Sequence, residues 1–212
     1  MGESDMRKKY LEADGYYNGN ESYILREPSD EYKEEFFECC KESDIMKERL
    51  NEESYRDLSW KTLFIVGLLL FVIDKRTKRL CGYVELRFLD SDMPEIGIQL
   101  YSKYQRKGIG QQVIMLLLKR AQMIHPVESY RIKIYADNFT SQKLFEKMGA
   151  VKVATEDSLS IKVFKDTMKT LTGEALERYK QIYESVYKGE YPQVYVYELH
   201  RDKIEGERVD SH

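Results

Sequence analysis

Gln105-Arg106-Lys107-Gly108-Ile109-Gly110 separates the run Glu95 to Leu100 from a longer stretch, Ile109 to Ile124, that carries apolar residues at helical spacing. Ile109, Val113, Leu116, Leu117 and Ile124 predict a helix that stops before Pro126. A helix start offers backbone N–H groups without partners and the positive end of the dipole. Glycines let an anion come close to that backbone. Arg106 and Lys107 add positive charge at the same mouth. The stretch lacks the Gly-Lys-Ser/Thr end of a Walker loop and the spacing of a dinucleotide fingerprint. It therefore points to a compact phosphorylated ligand, with an ordinary glycine-bearing turn as the plainer alternative.

Outward from this loop the chain reads as mixed α/β, of α+β type, with strands dominating the first half. Residues 1–20 are polar and read as a loose or locally helical lead-in. Tyr23 to Arg26 predicts a short strand, Ser29 or Asp30 caps a helix through Phe36, Phe37 and Cys40, and a second helical stretch passes Ile45, Met46 and Leu50. Phe64 to Asp74 and Arg79 to Phe88 predict a long hairpin, and Glu95 to Leu100 the next strand. Beyond the long helix come a strand (Arg131 to Ala136), a short helix (Ser141 to Met148) closed by Gly149, and a strand from Val151. A further helix over Asp166 to Lys188, within an insertion of about 164–190, precedes a final strand, Val194 to Leu199. The domain is expected over 21–200, with a charged tail over 201–212.

The chain has 212 residues, 42% hydrophobic and 33% charged, enough apolar material for one sizeable core. Its longest apolar run, Leu63 to Ile73, is shorter than the roughly 20 residues a membrane helix needs. The N-terminus carries no apolar signal core, so the expectation is a cytoplasmic protein without a membrane partner. Cys39, Cys40 and Cys81 lack metal-ligand spacing, and no metal site is expected. The net charge of −3 hides an asymmetry: Glu27 to Asp57 holds twelve acids and five bases, whereas Ser102 to Lys152 holds ten bases and three acids. The basic half suits a polyanion. The dispersed tyrosines and the lack of an RNA-binding signature argue against nucleic acid.

The loop resembles the (Gln/Arg)-x-x-Gly-x-(Gly/Ala) motif of the GNAT N-acetyltransferases. Asn138-Phe139-Thr140-Ser141-Gln142-Lys143-Leu144-Phe145-Glu146-Lys147-Met148-Gly149 resembles their second signature, in the right order and context. Pro94 to Leu100 is most similar to the branch of ribosomal-protein N-terminal acetyltransferases. The resemblance implies a mostly antiparallel central sheet that splays at the cofactor strand, flanked by helices, with the extra helix before the last strand as an addition. That addition reads as packing or homodimer surface, or alternatively as a wall of the acceptor site. The implied co-substrate is acetyl-CoA. Its pantetheine would pair with the backbone of Ile98, Gln99 and Leu100. Its diphosphate would sit on the loop Gln105, Arg106, Lys107, Gly108, Ile109, Gly110 and Gln111. Asn138 would lie near its pantetheine or thiol end, with a helix cap as a second role that can coexist with the first, and Ser141 would also contact the cofactor.

Acetyl transfer to an amine needs a base, because a lysine-like amine arrives protonated, and an acid for the departing thiolate. By the resemblance Glu95 is the first candidate base, with Glu85 on the preceding strand the second. A tyrosine acid is common where this chain has Phe145, so Ser141 is the candidate acid and Tyr135 the reserve. The implied activity is N-acetylation of a primary amine, on a cationic small molecule or a polypeptide N-terminus. The acidic stretch, which lies in the helices that border the acceptor groove of this family, favours the cation. Loss of the tyrosine leaves open an acyl-CoA-binding sensor or scaffold with little catalysis.

Overall fold

The computed structural model describes residues 3–11, 15–42, 48–65, 67–187 and 192–205. Eight strands form one sheet: β1 (Tyr16–Gly19), β2 (Tyr23–Arg26), β3 (Leu68–Asp74), β4 (Leu80–Arg87), β5 (Glu95–Leu100), β6 (Ser129–Tyr135), β7 (Val151–Asp157) and β8 (Gln193–His200). Their order is β1-β2-β3-β4-β5-β6-β8-β7, and only the β5–β6 pairing is parallel. The mixed α/β fold and mostly antiparallel sheet implied by the sequence are present.

Side chains alternate across the pleat and build two cores. Leu68, Leu70 and Val72 of β3, Val84 and Leu86 of β4, and Ile132 and Ile134 of β6 face α4 (Ile109–Ile124). Val113, Ile114, Leu117, Leu118 and Ala121 give that helix its buried stripe. On the opposite face Leu69, Phe71 and Ile73 of β3 meet Phe36 and Phe37 of α2 (Lys33–Lys41) and Trp60 of α3 (Glu53–Thr62). β3 is buried on both faces, which is why its sequence reads as an unbroken apolar run rather than an alternation.

Several elements differ from the sequence expectation. The lead-in is locally helical, as α1 (Glu3–Tyr10), and it also carries the unexpected strand β1; the two place Met6, Tyr10 and Tyr17 in the main core. The first arm of the hairpin begins at Leu68 rather than Phe64. The expected helix through Ile45 and Met46 falls partly on 43–47, outside the described residues, and Leu50 lies in a tight turn, Arg49–Asn51, ahead of α3. α5 spans Phe139–Lys147 and is followed by β7. The single helix expected over Asp166 to Lys188 is two, α6 (Leu159–Thr170) and α7 (Gly173–Tyr187), broken where Gly173 adopts a φ of 59°. These two pack on each other through Ile161, Phe164 and Tyr183, apart from both main cores. In the tail, α8 (Asp202–Glu205) buries Ile204, and 206–212 lie outside the described residues. Among the described residues no helix is long and apolar enough to cross a membrane.

Arg7 ties the N-terminal helix to the sheet. Its Nη1 donates to the carbonyls of Leu63 (3.0 Å) and Gly67 (2.8 Å), and its Nη2 to Glu27 Oε1 (2.7 Å). The arginine is buried, so truncating it strands two carbonyls and one carboxylate. Arg7→Ala is expected to lower the unfolding free energy by about 2–4 kcal/mol, read from urea denaturation. An unchanged midpoint would show the N-terminal helix to be an ornament on the fold.

Candidate active site

The site starts from a sheet that parts. β5 and β6 pair at only two positions, Glu95 with Arg131 and Ile96 with Ile132, closed by a hydrogen bond from the Arg131 N–H to the Pro94 carbonyl (2.9 Å). β4 holds the other edge of β5 along its whole length. The Tyr101 N–H donates to the Cys81 carbonyl (3.0 Å), which fixes the phase of that ladder. Odd-numbered residues of β5 then spend their backbone groups on β4, and the even-numbered Ile98 and Leu100 aim theirs into the gap. Gln105 Nε2 donates to the Leu100 carbonyl (2.9 Å), tying the following loop to this edge.

That loop ends at the start of α4. Gly108 sits at the N-cap with φ 75°, and Arg106 takes the left-handed region with φ 57°. A side chain on Gly108 would meet nothing within 4 Å, so glycine serves the backbone conformation there. Gly110 serves space: a Cβ would stand 3.0 Å from a Leu144 methyl and 3.5 Å from an Ile98 methyl. The amides of Ile109, Gly110 and Gln111 have no partner within the helix, because the first helical bond at this end runs from Gln112 N–H to the Gly108 carbonyl.

Gap and loop open into one cleft of about 810 Å³. Ile98, Gln99, Leu100, Gln105, Arg106, Gly108, Gly110, Gln111, Asn138 and Ser141 line it, bringing together ten of the residues expected from the sequence. Ile109 contributes only its backbone, since its side chain is buried in the core. Lys107 turns from the cleft wall and holds its Nζ 5.9 Å from the Tyr104 ring centre. Asn138 is a helix cap: its Oδ1 accepts from the Ser141 N–H (3.1 Å). Phe145 is buried in the core, and Tyr135 stands exposed on β6 outside the cleft wall.

The cleft also uses residues the motifs do not flag. Lys143 and Lys147 of α5 line it beside Arg106, so the basic character of the second half is partly spent here. Glu42 lines it from the end of α2, where its Oε2 accepts from the N–H (2.7 Å) and hydroxyl (2.8 Å) of Ser102. Gln99 joins the two walls, donating through Nε2 to the Cys39 carbonyl (2.7 Å) and accepting at Oε1 from the Tyr83 hydroxyl (3.0 Å). No sequence pattern marks Glu42, because only the fold brings it to Ser102.

Carboxylates lie on the face of the sheet that carries α2. Glu95 is buried and ion-paired with Arg87 Nη2 (3.2 Å), and it does not line the cleft. Glu85 is half-buried, pairs with the same Nη2 (3.1 Å) and, like Glu95, stands outside the cleft wall. A Cβ on Gly97 would stand 2.3 Å from Glu85 Oε1, so the carboxylate lies over Gly97, the first residue of β5 beyond its pairing with β6. Burial holds the Glu85 carboxyl above the ordinary carboxylate range; Glu95 adds to the rise and Arg87 opposes it. Burial also pushes Cys40 up to about 12 and Cys39 higher still, so both are neutral thiols at pH 7. Among the described residues no cluster of His, Cys, Asp and Glu could hold a metal ion.

These features fit acetyl-CoA. The free edge at Ile98 and Leu100 suits the amides of a pantetheine arm, and the glycine-lined amides of α4 with Arg106, Lys143 and Lys147 suit a diphosphate.

Comparison with known proteins agrees. An acetyltransferase (GNAT) domain model matches residues 23–151. No curated protein matches the sequence. Among solved structures, an acetyltransferase of the GNAT family from Bacillus anthracis superposes with a TM-score of 0.61 at 17% identity, covering 88% of this chain and 99% of that one. A spermidine N-acetyltransferase from Vibrio cholerae, solved with CoA and spermine, gives 0.61 at 17% identity, covering 88% and 98%. The microcin C7 self-immunity acetyltransferase MccE, solved with acetyl-CoA and AMP, gives 0.62 at 18% identity, covering 85% and 93%. At such identities the superpositions speak for the fold, while the domain match runs from β2 to the start of β7, more than half of the chain. The chain therefore belongs to the GNAT acetyltransferase family, whose members take their acetyl group from acetyl-CoA.

Proposed function

We propose that the protein acetylates a primary amine of a cationic molecule, a polyamine first and a polypeptide N-terminus second, with Glu85 rather than Glu95 as the base. The observation that carries this reading is the Glu85 carboxylate lying over Gly97, where β5 leaves β6. A cofactor anchored by its diphosphate at Gly108 and threaded along Leu100 and Ile98 brings its far end toward Gly97. Acetyl-CoA supplies an activated thioester and a thiol leaving group. Glu85 takes the ammonium proton at a carboxylate oxygen, directly or through one water, and so frees the nitrogen lone pair. Its raised pKa brings it nearer the operating range of such a base. Glu95 is covered by Arg87 and stands further from solvent. The nitrogen then bonds to the thioester carbonyl carbon and the C–S bond breaks; Ser141, which lines the cleft at the first turn of α5, can pass to the leaving sulfur the second proton that the nitrogen sheds, its own hydroxyl being restored. Tyr135, exposed on β6, has no role in this reading.

The preference for a cation rests on local charge. Most acids of α2 and α3 are spent on ion pairs: Glu34 with Arg56, Glu35 with Arg79, Glu38 with Lys41 and Asp57 with Lys33. Glu42 stands on the cleft wall, and over Gly97, outside that wall, Glu85 and Glu95 leave one carboxylate in excess at Arg87. Likeness of fold to the spermidine enzyme supports polyamines, and the similarity of Pro94 to Leu100 to the ribosomal-protein branch supports N-termini.

Incubation with acetyl-CoA and panels of polyamines, aminoglycosides and short peptides, with free thiol followed, is expected to give turnover on at least one cationic amine. Tight CoA binding with no turnover on any panel would replace this reading with that of an acyl-CoA sensor. Glu85→Gln is expected to lower kcat/KM by about 10²-fold with CoA affinity unchanged, and Glu95→Gln to cost much less. A larger loss for Glu95→Gln would move the base to that residue. Gly110→Val, whose side chain would run into Leu144 and Ile98, is expected to weaken CoA binding by about tenfold or more, by calorimetry. Undiminished affinity would place the diphosphate elsewhere.

A further inference from the structure

Glu85 and Glu95 share one guanidinium nitrogen. Arg87 Nη2 stands 3.1 Å from Glu85 Oε1 and 3.2 Å from Glu95 Oε1; the arginine side chain is partly exposed, and its Nε is buried. Two carboxylates at one cation leave a charge in excess, and the buried member cannot take refuge in water. The three residues form a cross-strand set: Arg87 and Glu95 are direct partners of β4 and β5, and Glu85 faces Gly97 one step along. We propose that Arg87 is a positioning residue with two settings, holding the Glu85 carboxylate over Gly97 while it is charged and passing its charge wholly to Glu95 once Glu85 has taken a proton.

The inference rests on Glu85 being the base and adds what readies it. In the first setting Nη2 binds both carboxylates. When a proton moves from the ammonium nitrogen to Glu85, that carboxyl becomes neutral and its hold on Arg87 weakens. Glu95 then carries the single balancing charge, and no proton needs to enter the buried site. Glu95 is thus the resting anchor of the arginine.

The other groups near Glu85 leave this balance to Arg87 and Glu95. Tyr83 on β4, with its hydroxyl on Gln99, is held well above its usual pKa by burial and stays neutral. Cys39 and Cys40 on α2 are neutral thiols. Leu69, the β3 partner of Glu85, is apolar. Arg131 on β6, the partner of Glu95, donates from Nη2 to the Met93 sulfur (3.4 Å). Among the described residues Arg87 is the cation paired with both carboxylates.

The test needs neither acceptor nor acetyl-CoA. Carboxyl carbon NMR of the free protein, labelled at glutamate and assigned with Glu85→Gln, gives the Glu85 titration midpoint in each variant. Arg87→Met is expected to raise it by about one pH unit, and Glu95→Gln to lower it by up to about as much. Arg87→Lys, which keeps the charge, is expected to hold it near the wild-type value and serves if the methionine variant does not fold. Salt at 0.5 M is expected to shrink the Arg87→Met shift, since the pair is partly exposed. An Arg87→Met midpoint that stays or falls, or a Glu95→Gln midpoint that rises, overturns the proposal, because a merely structural arginine would change stability without moving the midpoint in these opposed directions. Undiminished turnover in Glu85→Gln alongside the expected midpoints would overturn the base assignment alone.

Discussion

A strand that leaves its neighbour after two pairs is the constraint on which this molecule turns. Backbone N–H and C=O groups in a sheet interior must be satisfied. β5 meets that demand on one side with β4 and on the other with only Glu95 and Ile96. From Ile98 onward its second edge is exposed to whatever enters the cleft. The parting is held open by contacts on both flanks: Gln105 claims the Leu100 carbonyl, Gly110 lets α4 close against Ile98 and Leu144, and Gln99 fastens β5 to the end of α2. The free edge of β5, the open start of α4 and the cleft between them all follow from this one departure from regular pairing.

Holding a sheet open in its middle calls for rigidity at its ends. β3, buried on both faces, anchors the N-terminal half, and the N-terminal helix and β1 extend the core beyond it. The Tyr17 hydroxyl donates to the Leu117 carbonyl of α4 (2.6 Å), so the helix that presents its amides to the cleft is braced near its middle by the first strand. On the other half β6, β8 and β7 form a three-stranded antiparallel block, and the α6–α7 pair grows from its edge with a small core of its own.

Much of this was legible in the sequence because the strongest signals were local. The loop from Gln105 to Gly110 and the cap at Asn138 are each written within a few residues, and both are where their spacing indicated. What escaped was built from distant residues or from weak periodicity. α3 carries few apolar residues, and Leu58 among them is exposed, so it shows no stripe. β1 is only four residues long and buries one side chain fully, Tyr17. Arg7 draws its worth from Leu63, Gly67 and Glu27, none of which is near it in sequence. Glu85 and Glu95 look alike as letters on neighbouring strands, and only their different burial beneath Arg87 separates them.

The charge asymmetry along the chain carries the same lesson in finer form. An excess of acid over Glu27 to Asp57 suggests a broad field for a cationic acceptor, yet in the fold four of the five carboxylates on α2 and α3, those of Glu34, Glu35, Glu38 and Asp57, have cationic partners. Exposed ion pairs of this kind contribute little stability, about 0–1 kcal/mol each, but they cancel field. On the proposed reading, selectivity for a cation would fall to Glu42 on the cleft wall and to the carboxylate pair at Arg87. A short-range, partly buried charge discriminates by position as well as by sign, because its interaction grows as water is excluded. With Glu85 as the proposed base, an amine drawn to this point would meet a carboxylate that can also take its proton, and recognition and activation of the acceptor would converge on the same side chain.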